Sequence, residues 1–149
     1  MGSKEECRTI DQKIQFLEER YEKVRKKIIT NDFKYEDQFQ AKMFFLLSGL
    51  EIWHKDLFTW SVPNGDFRQM SVAKRLKATG VRAGVSDLMV MGNGMIAFIE
   101  NKRIGGRVSD AQKRFEAKCQ LNRMAYKVYD NSREVQDIVK EIIGFMYGS

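Results

Sequence analysis

The chain has 149 residues, 43% of them hydrophobic and 31% charged, with one proline and a formal net charge of +6. This composition is typical of one folded globular domain and excludes a disordered or fibrous chain, while the positive charge favours a polyanionic partner. No run of about 18 apolar residues and no signal-peptide pattern is present. The two cysteines, Cys7 and Cys119, lack metal-ligand spacing and indicate free thiols in a reducing compartment. We therefore expect a soluble, cytoplasmic protein without a membrane segment.

Apolar periodicity and turn signals predict alternating helices and strands. In chain order we expect a long amphipathic helix over 9–30, a helix from about 34 to 50, a strand over 57–60, a short helix over 70–78, a hairpin over 86–102, a helix over 109–124, a strand over 126–129 and a helix over 134–146. Thr9 with Gln12, and Ser109 with Gln112, have the form of capping boxes. Asn31-Asp32 ends the first helix and is expected to cap the second. The order predicts an α/β or α+β layered domain.

The hairpin contains the most informative pattern. Asn93-Gly94 between two apolar runs is the strongest short-range signal for a two-residue type I′ turn. With these two residues as the loop, facing residues on the two strands have numbers that add up to 187. Asp87 then lies opposite Glu100, and Lys102 shares their face because side chains alternate along a strand.

Two opposed carboxylates repel each other, which favours a cation between them. Carboxylates suit Mg²⁺ or Mn²⁺, and a metal held by Asp87 and Glu100, with the backbone carbonyl of Asn101 as a third ligand, could activate water beside a phosphate. Lys102 could position the water or stabilise charge on the phosphate. Taken alone, such a trio more often forms a solvated hairpin end with a surface salt bridge. The strands are apolar on both faces, which favours an interior pair and the catalytic interpretation.

Basic residues without intervening acids precede the hairpin. Between residues 67 and 86 the cations are Arg68, Lys74, Arg75, Lys77 and Arg82. Together with Arg103 and Arg107 after the hairpin, the last four are candidate phosphate contacts. Such contacts would position a nucleic acid without reading its sequence.

Several short motifs, taken together, resemble a known nuclease family. They are Pro63-Asn64-Gly65, Gly80-Val81-Arg82-Ala83-Gly84-Val85-Ser86-Asp87, Phe98-Ile99-Glu100-Asn101-Lys102, Gly106-Arg107-Val108-Ser109 and Gln112. In this order they resemble the virus-type replication-repair nuclease (VRR-NUC) domain of the PD-(D/E)xK nuclease superfamily, in its small, standalone, phage-like form. The resemblance covers roughly residues 34–143. Ser86 stands where the family usually has proline, a position that supplies no ligand.

The resemblance implies a nuclease-like central mixed β-sheet flanked by helices. It divides the chain into an N-terminal helical extension over 1–33 and a nuclease domain over 34–149. It also implies that Asp87 and Glu100 bind Mg²⁺ or Mn²⁺ and that Lys102 completes the catalytic site.

Two further site residues are implied by the resemblance. The family carries a helical glutamate, for which Glu36, one turn before Gln40, is the best match and Glu51 the alternative; Glu36 is then catalytic and a further candidate metal ligand. The residue pattern alone would leave Glu36 on the surface. Gln112 matches a family glutamine that contacts the phosphate or the catalytic water, although its place in a capping box competes with that role. Asn64 and Ser109 are added to the candidate DNA contacts.

The implied activity is a metal-dependent endonuclease that cleaves branched DNA, as a Holliday-junction resolvase does, and that acts as a homodimer in a bacterial or phage-infected cell. A symmetric four-way junction suits a two-fold dimer because it presents two equivalent strands. Two alternatives stay open: a monomeric flap or nicking nuclease, and a catalytically silent DNA-binding module of replication or repair.

Overall fold

The computed structural model describes residues 8–62 and 70–148, and in this part of the chain five helices and four strands alternate in the predicted order. They are α1 (Ile10–Ile28), α2 (Tyr35–Gly49), β1 (Phe58–Ser61), α3 (Met70–Ala78), β2 (Leu88–Gly92), β3 (Met95–Lys102), α4 (Asp110–Leu121), β4 (Ala125–Asp130) and α5 (Val135–Tyr147). A short 3₁₀ turn, Leu50–Ile52, follows α2.

The four strands form one sheet in the order β1-β2-β3-β4. The pairs β1–β2 and β2–β3 are antiparallel, and β4 runs parallel to β3. A parallel neighbour needs a crossover connection, which α4 supplies between β3 and β4. The fold is therefore α+β with a mixed sheet flanked by helices, and this part of the fold prediction is confirmed.

The hairpin has the register that the Asn-Gly turn predicts. Asn93 and Gly94 have φ values of 50° and 74°, and positive φ at both central residues is the signature of a type I′ turn. Leu88 faces Ile99, a pair whose numbers add up to 187. Outside the turn, Asp56 accepts a hydrogen bond from the Asn93 backbone N–H at 2.6 Å, which ties the loop to the rest of the fold.

Helices cover both faces of the sheet. On one face, β-strand residues such as Val90 and Ile99 share a buried apolar core with residues of α1, α2 and α5. Helix α1 contributes Ile14 and Leu17 to that core, so its apolar stripe covers the domain itself. On the other face α4 packs on the sheet, where the Phe98 and Phe115 rings meet edge to face at 5.1 Å.

The details differ from the expectations at a few points. The N-cap of α2 is Lys34, whose N–H donates to the Asp37 carboxylate at 3.0 Å, so Asn31-Asp32 is not the cap. A carboxylate three residues inside the helix can take over the capping role, which the residue pattern did not reveal. Helix α4 ends at Leu121, three residues early. None of the helices in the described ranges combines the length and apolar character needed to span a bilayer.

Candidate active site

Asp87 and Glu100 meet at the open end of the β2–β3 hairpin. Asp87 directly precedes β2, and its Oδ2 accepts a hydrogen bond from the Asn101 backbone N–H at 3.0 Å. This bond adds one more cross-strand hydrogen bond at the end of the hairpin, with a side-chain oxygen in place of a backbone acceptor. It holds the Asp87 carboxylate beside the end of β3. Glu100, on β3, is only 2% exposed. The expected juxtaposition of the two carboxylates is therefore present.

The two carboxylate oxygens of Glu100 have different surroundings. Oε1 accepts a hydrogen bond from Gln112 Nε2 at 2.6 Å and lies 3.5 Å from Lys102 Nζ. Oε2 is buried and accepts no hydrogen bond within the described part of the chain. A buried oxygen without a donor is costly, and here it lies beside a second carboxylate. The arrangement leaves one oxygen open for a cation or a proton.

Burial is the main cause of the raised pKa values of this carboxylate pair. Burial raises the pKa of Glu100 to about 8, the neighbouring Asp87 charge adds to that shift, and Lys102 opposes it. Burial also raises the pKa of Asp87, against the Asn101 hydrogen bond and the Lys102 charge. Lys102 alone therefore does not compensate for the buried Glu100 and the half-buried Asp87.

Gln112 serves the helix cap and the site at once. Its Oε1 accepts from the Ser109 N–H at 2.8 Å, while the Ser109 hydroxyl accepts from the Gln112 N–H at 3.2 Å, which completes the capping box. The Nε2 group is not needed for the cap and donates to Glu100. The capping role and the site role of Gln112 therefore do not compete, because the amide oxygen bonds Ser109 and the amide nitrogen bonds Glu100.

Glu36 lies in the first turn of α2, beside the end of β3. Its Oε1 accepts from the Arg103 backbone N–H at 3.4 Å, and its charge contributes to the raised pKa of Asp87. Glu36 and Gln40 line the same cleft as the carboxylate pair, whereas Glu51, in the 3₁₀ turn, is not among the lining residues.

One cleft of about 1130 Å³ contains all five predicted catalytic side chains. Glu36, Asp87, Glu100, Lys102 and Gln112 line it, from three different parts of the chain. A cleft that gathers carboxylates with raised pKa values, a lysine and an amide is the usual form of an acid–base or metal-assisted site.

The donor set fits a small divalent cation with an incomplete protein shell. No group of three or more His, Cys, Asp or Glu side chains suited to a metal occurs in residues 8–62 and 70–148. Mg²⁺ typically uses one or two carboxylates and retains several waters. The Asn101 carbonyl faces the same side as its N–H, which bonds Asp87, because a strand residue directs both groups to one neighbour. Asp87, Glu100 and this carbonyl could therefore hold such an ion.

The candidate DNA contacts have mixed placements. The six cations are all exposed: Lys74, Arg75 and Lys77 on α3, and Arg82, Arg103 and Arg107 in loops. The Ser109 hydroxyl lies at the cleft but is occupied by the α4 cap. Asn64, with its Pro63-Asn64-Gly65 turn, lies outside the described residues, as do Arg68 and Cys7.

Two cleft residues, Thr59 and Gly84, were not singled out from the sequence, and for Asn101 only the backbone carbonyl was. The Asn101 side chain is buried with neither amide atom hydrogen-bonded in the described structure, and the same holds for the Thr59 hydroxyl. Gly84 contacts the first turn of α4, where an added Cβ would lie 2.3 Å from the Ala111 carbonyl oxygen. A polar residue in a core-facing strand position was the available signal for Asn101 and Thr59, and no sequence signal marked the Gly84 contact.

Comparisons of this chain with protein-family models, with curated proteins and with solved structures found no match.

Proposed function

We propose that the chain is a metal-dependent endonuclease of the VRR-NUC type that hydrolyses phosphodiester bonds in DNA. The observation that carries the proposal is the buried Glu100 carboxylate, which faces Asp87 and contacts both Lys102 and Gln112. A solvated hairpin end would not bury a glutamate at 2% exposure beside a second carboxylate.

Each side chain has a distinct task in this proposal. Bound Mg²⁺ or Mn²⁺ would supply Lewis-acid chemistry and a more acidic water. Asp87 and Glu100 would hold the ion, and the Asn101 N–H keeps the Asp87 carboxylate in place. Gln112 fixes the orientation of Glu100 through a 2.6 Å hydrogen bond. Lys102, 3.5 Å from Glu100, provides the positive charge that stabilises the phosphate during attack.

The proposed substrate is branched DNA, with the four-way junction as the first candidate, and the proposed active form is a homodimer. The exposed cations of α3 and of the loops around the hairpin support a polyanionic substrate. Two equivalent sites in a two-fold dimer would match the two strands of a junction.

A cleavage assay with matched variants tests the activity. Asp87→Asn and Lys102→Ala should each lower the Mg²⁺-dependent cleavage rate by about 10²–10³-fold while retaining DNA binding, since each removes a group that acts on the reacting phosphate. Asp137→Asn and Lys113→Ala, exposed residues on α5 and α4, are the controls and should cleave as the parent does. Full cleavage by either site variant would contradict the assignment.

Metal removal provides an independent measurement. EDTA should stop cleavage and added Mn²⁺ should restore it, because the carboxylate pair needs a cation to hold a phosphate oxygen. Cleavage that continues in EDTA would exclude the two-carboxylate mechanism.

The cleavage pattern tests the substrate and the dimer. Mapped, symmetric paired nicks in a four-way junction, together with a dimer in sedimentation, are the expected result. One-sided nicks from a sedimenting monomer would instead identify a flap or nicking nuclease, and binding without any cleavage would identify a silent DNA-binding module.

A further inference from the structure

One face of α2 extends the cleft away from the carboxylate pair. Glu36, Gln40 and Phe44 follow one another at four-residue steps, so they lie on one side of the helix, and all three line the cleft. Glu36 and Phe44 are about 12 Å apart along the helix axis. Phe44 is 42% exposed, although Met43, Leu46 and Leu47 on the same helix are fully buried. The far end of the cleft therefore has an open aromatic ring.

Strand β1 provides a polar group at the same cleft. Thr59 is 4% exposed, and its hydroxyl has no hydrogen-bond partner in the described part of the chain. Helix α2 contacts β1, and Thr59 and Phe44 both line the cleft. A buried hydroxyl without a partner is destabilising unless something outside the protein fills the role. This second observation indicates a polar occupant in the cleft that the aromatic ring also lines.

The combination fits a nucleobase. An aromatic ring supplies a stacking surface for any base, and a hydroxyl can donate to or accept from a base edge. Lys34 and Lys102, which also line the cleft, supply positive charge for the phosphates. A paired base is covered by its neighbours in the duplex, so only an unpaired base can stack on a ring inside a cleft.

We propose that the Phe44 end of the cleft binds an unpaired nucleobase of the strand that is cleaved. The substrate class is then DNA with a single-stranded or unstacked segment next to the scissile phosphate. At about 3.4 Å per stacked nucleotide, 12 Å corresponds to three or four nucleotides. The placement of the scissile phosphate rests on the proposed function, whereas the nucleobase subsite itself does not require catalysis.

Binding measured without catalysis tests the subsite. The probe is a fluorescein-labelled 12-nucleotide oligothymidylate, compared with a 12-base-pair duplex, in EDTA, by anisotropy. Phe44→Ala should weaken oligothymidylate binding about ten-fold, with little change for the duplex, because stacking on the ring is lost. Phe44→Tyr keeps an aromatic ring and should bind as the parent does. The control is Phe145→Ala, which removes a ring of similar exposure (46%) on α5, away from the cleft.

Thr59→Val separates binding from folding. The valine has the same shape without the hydroxyl, so it should raise Tm while weakening oligothymidylate binding several-fold. Equal binding by Phe44→Ala and the parent, or an equal loss for the duplex, would overturn the inference. The loss of oligothymidylate binding on Phe44→Ala can also be measured in the Asp87→Asn background, or in a parent protein that proves inactive. Such a loss would support the subsite independently of the proposed nuclease activity.

Discussion

Gly84 controls how closely the loop before Asp87 approaches α4. Its φ of 89° lies in the left-handed region, and an added Cβ would lie within 2.3 Å of the Ala111 oxygen and 2.9 Å of the Gln112 nitrogen. The loop that leads to one carboxylate thus contacts the helix turn that holds the other. The absence of a side chain at this position is a requirement for bringing Asp87, Glu100 and Gln112 together.

Gly84→Ala should therefore harm both stability and cleavage. We expect a loss of about 2–4 kcal/mol in the free energy of unfolding, from backbone strain plus displacement of α4, and a lower kcat. Gly105→Ala is the matched control, since Gly105 also has a positive φ of 80° but has open space around its Cβ position. That variant should lose only about 1 kcal/mol and keep its kcat. Urea denaturation and cleavage kinetics measure both quantities, and equal effects of the two substitutions would contradict the role of the contact.

At the scale of elements, the N-terminal turn of α4 is both a helix cap and part of the site. The capping box could be recognised in the sequence because its residues lie three positions apart. The Gln112–Glu100 contact could not be derived from such local spacing, because it depends on α4 packing over the face of β3 that bears Glu100. In contrast, the Asp87–Glu100 juxtaposition followed from a two-residue turn, since the register of a hairpin is a local property.

Gln112→Glu tests the double role of this side chain. Glutamate retains the cap acceptor for the Ser109 N–H, but it replaces the Nε2 donor by a charge against Glu100. We expect helix stability to survive and the cleavage rate to fall at least ten-fold at neutral pH. Ser109→Ala should do the reverse, with a loss of about 1 kcal/mol in stability and a smaller effect on rate. Thermal unfolding and cleavage rates distinguish the two cases; a Gln112→Glu protein that cleaves normally would assign Gln112 to the cap alone.

At the scale of the whole molecule, the buried Glu100 carboxylate couples stability to pH. The pKa of Glu100 rises from 4.5 to about 8 on folding, mainly because of burial. Between these values the folded protein keeps a proton that the unfolded chain has released. The contribution of this group to stability is therefore fully present below about pH 4.5 and is lost as pH rises through about 8.

The metal-free protein should accordingly lose Tm between pH 5 and 8. The loss should be smaller in Glu100→Gln, which is neutral at every pH, and Mg²⁺ should restore Tm of the parent at pH 8 by replacing the proton. His54, whose pKa is lowered mainly by burial, acts in the opposite direction but is common to both proteins and cancels in the comparison. Parallel Tm curves for parent and variant would show that Glu100 does not keep the proton.

The layered arrangement was predictable, but the shape of the cleft was not. The order of elements followed from apolar periodicity, and the mixed sheet was expected only through the family resemblance. Apolar periodicity placed Met43 on the buried face of α2 and left Phe44 outside it, but it did not show that Phe44 lies in the cleft. The walls of the cleft depend on how α2 and β1 pack against each other. Short stretches of sequence do not determine this packing.

The locality of the hairpin also has a consequence for the order of folding. Asp87, Glu100 and Lys102 are joined by a single two-residue turn, and a hairpin can form in about 1–10 µs. Glu36 and Gln112 reach the cleft only when α2 and α4 dock on the sheet. We therefore expect the carboxylate pair to form before the groups that surround it, so that its repulsion opposes formation of the hairpin. A divalent cation present during refolding would relieve that repulsion, so Mg²⁺ should act on the folding rate as well as on the stability of the finished protein.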